Sequence, residues 1–293
     1  MDFWQALAER ISTVLNESFS VCEYAATGGG CINETYRLIG ARREYFVKLN
    51  SAGRLEMFAA EAEGLEELGA SATVRVPRPL CWGAVAEKAY LVMEYVALRR
   101  ADAAAMEALG RQLAALHRVE QPYFGWRHAN TIGATAQVNT PTDDWITFWR
   151  TQRLGLQLDL AVRNGYGTLQ RQGDKLLAEL DDFFRGYRPK PALLHGDLWG
   201  GNVAADEQGW PVIFDPAVYY GDREADIAMT ELFGGFPARF YAAYREAYPL
   251  DPGYSLRRDL YNLYHILNHL NLFGAAYRGE AEHTLAKLTA AYR

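Results

Sequence analysis

The segment His195-Gly196-Asp197-Leu198-Trp199-Gly200-Gly201-Asn202, followed 13 positions after Asn202 by Asp215, gathers residue types suited to phosphoryl transfer. Moving a γ-phosphoryl group needs a carboxylate that orients an attacking hydroxyl and accepts its proton. It also needs oxygen ligands for the metal that neutralises the triphosphate. Asp197 fits the first requirement, and Asn202 with Asp215 fits the second.

Asp, four residues, Asn and then a further Asp is the spacing of the catalytic loop and metal-binding aspartate of protein kinases, with His-Gly-Asp in place of their His-Arg-Asp. That replacement favours a small-molecule acceptor. Upstream, Lys48 lies on the opposite strand face from Tyr45, Val47 and Leu49, so one charged group can point into a cleft, as a lysine holding the α- and β-phosphates must. Two glutamates compete to pair with it. Glu61 stands beside the apolar stripe of a helix, between Phe58 and Leu65, whereas Glu63 aligns with Glu56 and Glu67 on the wet face, so Glu61 is the expected partner. The run Gly28-Gly29-Gly30-Cys31-Ile32-Asn33 sits where a first hairpin should turn, and its glycines let backbone N–H groups approach phosphate oxygens. Neither a Walker A motif nor G-x-G-x-x-G fits it.

These residues need a frame. Residues 19–24, 35–39 and 44–49 read as strands of an antiparallel meander, 55–68 as one amphipathic helix, and 74–79 and 89–96 as further extended segments. After the Ala-rich stretch 101–105, helical periodicity takes over, beginning at Asp102 as N-cap and continuing over 142–163, 174–187, 225–233, 239–247 and 256–278. Residues 124–141 lack periodicity and read as an ordered loop. The expected organisation is α+β in two lobes: residues 1–96, a nucleotide-binding sheet with one helix, and 97–293, a mainly α-helical catalytic and substrate-binding lobe.

Composition narrows the partners. A chain of 293 residues, 49% apolar, can bury two cores, while a net charge of −6 without a dense Lys/Arg block argues against nucleic acid. The N-terminus lacks a basic stretch followed by an apolar run, and the longest charge-free segment, 260–277, contains Asn262, His265, Asn268, His269 and Asn271, so neither a secretory signal nor a membrane span is expected. Cys22, Cys31 and Cys81 form no C-x-x-C pair and no zinc spacing, which suits a reducing cytoplasm.

The chain resembles the fructosamine kinase (ketosamine 3-kinase) family, related to aminoglycoside phosphotransferases and choline kinases within the protein-kinase-like fold. The resemblance is carried by GGGCINET (28–35), FAAEAEGL (58–65), HGDLWGGN (195–202) and NHLNLFG (268–274). It implies ATP and Mg²⁺ as cofactors and, as substrate, the C3 hydroxyl of a ketosamine, a sugar adduct of a free amine or of a protein lysine. The 3-phosphate formed is unstable and sheds the amine, so the reaction deglycates. The same resemblance assigns Asp197 as base, Asn202 and Asp215 as metal ligands, Lys48 with Glu61 as phosphate clamp, the glycine loop with Cys31 and Asn33 as lid, and Met93, Glu94, Tyr95 and Val96 as adenine hinge. It places Trp199 as a wall against the sugar and Asn268 and His269 at its hydroxyls, in a monomer or homodimer. Cys31, among lid N–H groups that favour a thiolate, is a candidate redox site whose oxidation would distort ATP binding. Asp215 is followed by Pro216-Ala217 rather than Phe-Gly, so control by a movable activation segment is not expected. Two alternatives stand beside this: an aminoglycoside- or choline-type kinase, and a non-catalytic nucleotide-binding redox sensor. Cationic substrates of the former favour acidic clusters or aromatic cages, whereas 260–274 offers Asn and His, which favours a neutral sugar.

Overall fold

Period-two alternation organises the first half of the chain. Strands β1 (Glu23–Ala26), β2 (Glu34–Ile39), β3 (Glu44–Ser51), β4 (Pro79–Val85) and β5 (Lys88–Glu94) form one antiparallel sheet in the order β1-β2-β3-β5-β4. Along β3, Tyr45, Val47 and Leu49 point to one face, where Leu38, Tyr90 and Val92 join them in a buried cluster with Leu7 and Ile11 of helix α1 (Phe3–Leu15). Lys48 points to the other face, toward helix α2 (Leu55–Ala70), whose Phe58, Ala62, Leu65 and Leu68 are buried. The computed structural model describes residues 2–28 and 32–291.

Three details differ from the sequence expectation, the first being that β1 runs over Glu23–Ala26 and not 19–24. The sheet carries a second helix, α1, although Phe3, Leu7, Ile11 and Leu15 recur at the four-residue step of a helical stripe. The fourth strand begins at Pro79 instead of ending there; Arg75 makes a single bridge to Val212, and proline, lacking an N–H, opens the strand where no ladder bond is lost.

The chain divides into two compact units, Met1–Ala105 with Val203–Pro216, and Met106–Asn202 with Ala217–Arg293. The division differs from a single cut after residue 96 because the hairpin of strands Val203–Ala205 and Pro211–Ile213 belongs with the sheet. Arg75 pairs with the Asp206 carboxylate of that hairpin, and the Arg99 Nε donates to the Asp206 carbonyl at 3.0 Å.

The second unit is helical. Helix α3 (Ala103–Leu116) starts with the Ala105 N–H donating to Asp102 Oδ1 at 2.9 Å, the expected cap. Residues 145–163 run as one helix with a π-helical turn at Arg150–Leu154. Helices Gln170–Ala178, Glu224–Leu232, Ala238–Ala247 and Tyr254–Phe273 follow. The expected helix 256–278 breaks at Gly274, whose φ of +86° suits glycine, and a further helix, Arg278–Ala290, ends the described chain. The expected loop at 124–141 contains a small hairpin, Asn130–Ile132 against Thr135–Gln137, turning at Gly133 with φ +61°. Among the described residues, no helix is long and apolar enough to cross a membrane.

Candidate active site

In the first unit, Lys48 Nζ lies 2.5 Å from Glu61 Oε1 and 2.7 Å from Asp215 Oδ1. The lysine and Glu61 side chains are only 5% and 11% exposed, so the geometry places a charge pair where water screens little. Burial pushes the lysine down, but the two carboxylates outweigh it and hold the ammonium above its ordinary range, hence charged. Burial also raises the Glu61 carboxyl, against the pull of Lys48. Asp215 adopts φ +57°, a left-handed conformation uncommon outside glycine, and the Lys48 contact helps to hold it there.

In the second unit, strand Ala192–Leu194 pairs with Tyr219–Gly221 and leads directly into the loop at 195–202. His195 is fully buried, and Asp226 accepts hydrogen bonds from the His195 and Gly196 N–H groups, each at 2.8 Å. Gly196 has φ +82°, and a Cβ there would collide with the Ala217 carbonyl, so this turn requires glycine. Burial would raise the Asp226 carboxyl, yet the hydrogen bond from His117 and the loop contacts hold it below its ordinary range. His117 Nδ1 in turn meets the Tyr244 hydroxyl at 2.8 Å, to which Arg223 donates at 3.0 Å. Leu198, fully buried, anchors the loop, while Asp197 and Trp199 on either side stay accessible. Asn202 Nδ2 donates to the Asp197 carbonyl at 2.8 Å, which leaves its own side-chain oxygen as an acceptor.

Other expected residues fall as follows. Gly29, Gly30 and Cys31 lie outside the described residues, whereas Gly28 is open, with nothing within 4 Å of an added Cβ. The Asn33 side chain accepts from Asn50 Nδ2 at 2.8 Å and so pins one end of the glycine loop, whose base is closed by the Thr27 N–H donating to the Thr35 carbonyl at 2.9 Å. Met93 is buried in β5, Glu94 Oε1 accepts from the Arg78 N–H at 3.0 Å, and Tyr95 and Val96 continue past the strand, with Arg37 4.3 Å over the Tyr95 ring. Cys81 is buried, and burial pushes its thiol up to about 11, which makes it unreactive.

Asn268 differs from its expected place at a sugar hydroxyl. It is 2% exposed, and its amide is engaged inside the unit with Gln157 at 3.1 Å and the Ile132 carbonyl at 3.4 Å, which is a supporting position. His269 is half-buried and sits among aromatic rings: Phe233 at 4.7 Å, Tyr277 at 5.1 Å and, on its own helix, Phe273 at 5.4 Å, with Trp199 6.0 Å from Phe233. Along the chain 260–274 offers Asn and His, yet in space Phe233 and Tyr277 join Phe273 around His269. No local pattern marks Phe233 or Tyr277, which lie 36 residues before and 8 after His269.

What these groups offer is fixed charge, oxygen ligands and one accessible carboxylate, and together with the fold they define a phosphotransferase of the protein-kinase-like class. A fructosamine kinase family model matches residues 3–291, and the chain belongs to that family. It is 48% identical over 283 residues to a "probable ketoamine kinase" of Synechocystis, covering 96% of this chain and 95% of the relative. A crystal structure of a putative fructosamine-3-kinase from Thermobifida fusca is similar at 35% identity, with TM-score 0.86 and 98% and 99% of the two chains covered. The fold extends to choline kinase LicA from Streptococcus pneumoniae, at TM-score 0.67, 15% identity and 98% coverage of each chain.

Proposed function

We propose that this protein is an ATP-dependent kinase that phosphorylates the C3 hydroxyl of ketosamines, fructosamine or ribulosamine adducts of small amines or protein lysines, and thereby leads to their deglycation. The observation that carries this reading is an accessible Asp197 on a loop held rigid from beneath by Asp226, in a chain that matches the fructosamine kinase family from residue 3 to 291. Asp197 orients the sugar hydroxyl and takes its proton; Lys48, fixed by Glu61, binds the α- and β-phosphates. The glycine loop covers the phosphates, and residues 93–96 receive the adenine.

Asn202 and Asp215 fit Mg²⁺, because both offer hard oxygen donors. Bound there, Mg²⁺ supplies charge neutralisation on the triphosphate. Trp199 forms an apolar wall for the sugar, and Asn268 supports the helix that carries His269.

The test is ADP formation by the purified protein with ATP, Mg²⁺ and a panel of synthetic fructosamines and ribulosamines, with the product located by phosphorus NMR. A sugar 3-phosphate that decays with amine release is expected. Ketosamine-independent turnover, or phosphate on another carbon, would refute the reading.

A further inference from the structure

Trp199 opens a continuous run of rings within the second unit. Its indole meets Phe233 at the end of helix Glu224–Leu232; Phe233 meets His269 on helix Tyr254–Phe273; and His269 meets Phe273 and, just past the Gly274 turn, Tyr277. Two of these rings face solvent, Trp199 at 37% exposed and Phe273 at 49%, although Leu267 and Leu270 already give this helix its buried face. The indole is held flat against the catalytic loop, since a Cβ on Gly201 would collide with it. An outward aromatic wall thus begins two residues from Asp197.

His269 adds a polar element. Its Nδ1 lies 2.8 Å from the His265 carbonyl, so Nδ1 carries the hydrogen and Nε2 keeps its lone pair. Burial lowers this imidazole, so it is neutral at pH 7, and the Glu280 carboxylate acts on it from the following helix. Aromatic faces, an acceptor nitrogen and a carboxylate all favour the same guest, a cation that can donate N–H.

A ketosamine has two halves, a neutral polyol and a secondary amine that is protonated at neutral pH. We propose that Phe233, His269, Phe273 and Tyr277 form the subsite for the ammonium half, next to the Trp199 wall that faces the sugar at Asp197. The proposal rests on the ketosamine reading above and deepens it. Selection then depends on the amine as well as on the sugar: the ring faces hold the cation, His269 Nε2 accepts its hydrogen, and the exposed face of Phe273 receives the alkyl chain that follows.

The experiment compares two ligands by calorimetry, fructosyl-butylamine and the ether in which oxygen replaces its nitrogen. They are titrated into wild type, Phe273→Leu and Tyr277→Leu; leucine keeps apolar contact and removes the ring face. Wild type is expected to bind the ammonium about tenfold more tightly than the ether, and each variant to lose about threefold of that preference, read as the ratio of the two affinities. A wild-type preference near unity, or one that both folded variants retain in full, overturns the subsite. Turnover of fructosyl-butylamine with ATP is scored separately: binding preference without turnover counts against the kinase reading alone, and turnover without preference against the subsite alone.

Discussion

Lys48 Nζ donates to Asp215 Oδ1 at 2.7 Å across 167 residues of sequence. The same ammonium is paired with Glu61 on its other side, so the lysine is already placed and already charged before any phosphate arrives. A group pre-set in this way needs little reorganisation when negative charge develops near it.

Lys48→Met should therefore cost both activity and stability. Turnover is expected to fall at least ~100-fold, and the uncompensated buried Glu61 should lower stability by about 3 kcal/mol. Replacing both partners, Lys48→Met with Glu61→Leu, should recover most of the stability and none of the turnover. Urea denaturation and steady-state kinetics on the single and double variants check this.

Asp197→Asn keeps the shape of the loop but removes the proton acceptor. Turnover should drop by roughly 10³-fold, with nucleotide affinity, read by calorimetry, within about threefold of wild type. Near-normal turnover would exclude Asp197 as base.

Asp226→Asn addresses the support of that loop. An amide offers one acceptor oxygen where the carboxylate serves two N–H groups, and its NH₂ would face a donor. A loss of about 2 kcal/mol in stability is expected, together with a lower turnover and little change in nucleotide affinity. Equal losses in nucleotide binding and turnover would argue for general unfolding instead.

Acid should weaken the fold through His265. Burial pushes its imidazole down to about 3, and it stays neutral in the folded chain while the unfolded chain titrates near the ordinary ~6.5. Between these values the unfolded state binds more protons, so stability is complete above pH ~6.5 and falls as pH drops toward ~3, by up to ~1.4 kcal/mol per unit from this group. His265→Gln should flatten that part of the profile; denaturation midpoints at about pH 5 and pH 7 for both proteins decide it.

Much was legible along the chain. The spacing within 195–202 and on to Asp215 states a reaction class, because the relevant groups sit on one loop whose order is local. Strand alternation placed Lys48 opposite the apolar face of β3, and helical phase chose Glu61 over Glu63; the 2.5 Å pair is the result. Those inferences need only a period of two and a period of 3.6. Helix α1 carries the same stripe in Phe3, Leu7, Ile11 and Leu15, so it too is legible along the chain.

Tertiary structure alone decided what depends on distant chain segments meeting. Asp226 lies in the first turn of helix Glu224–Leu232, yet it serves the backbone of His195 and Gly196 some thirty residues earlier, within reach only because strands Ala192–Leu194 and Tyr219–Gly221 pair. Asn268 and His269 are neighbours in sequence but point apart on their helix, one into the interior and one among rings supplied by its own helix and two other segments. Sequence by itself determined the chemistry and the local faces, because periodicity is a short-range property. Which side chains share a site was settled by packing, since burial selects partners by position in space and not by order in the chain.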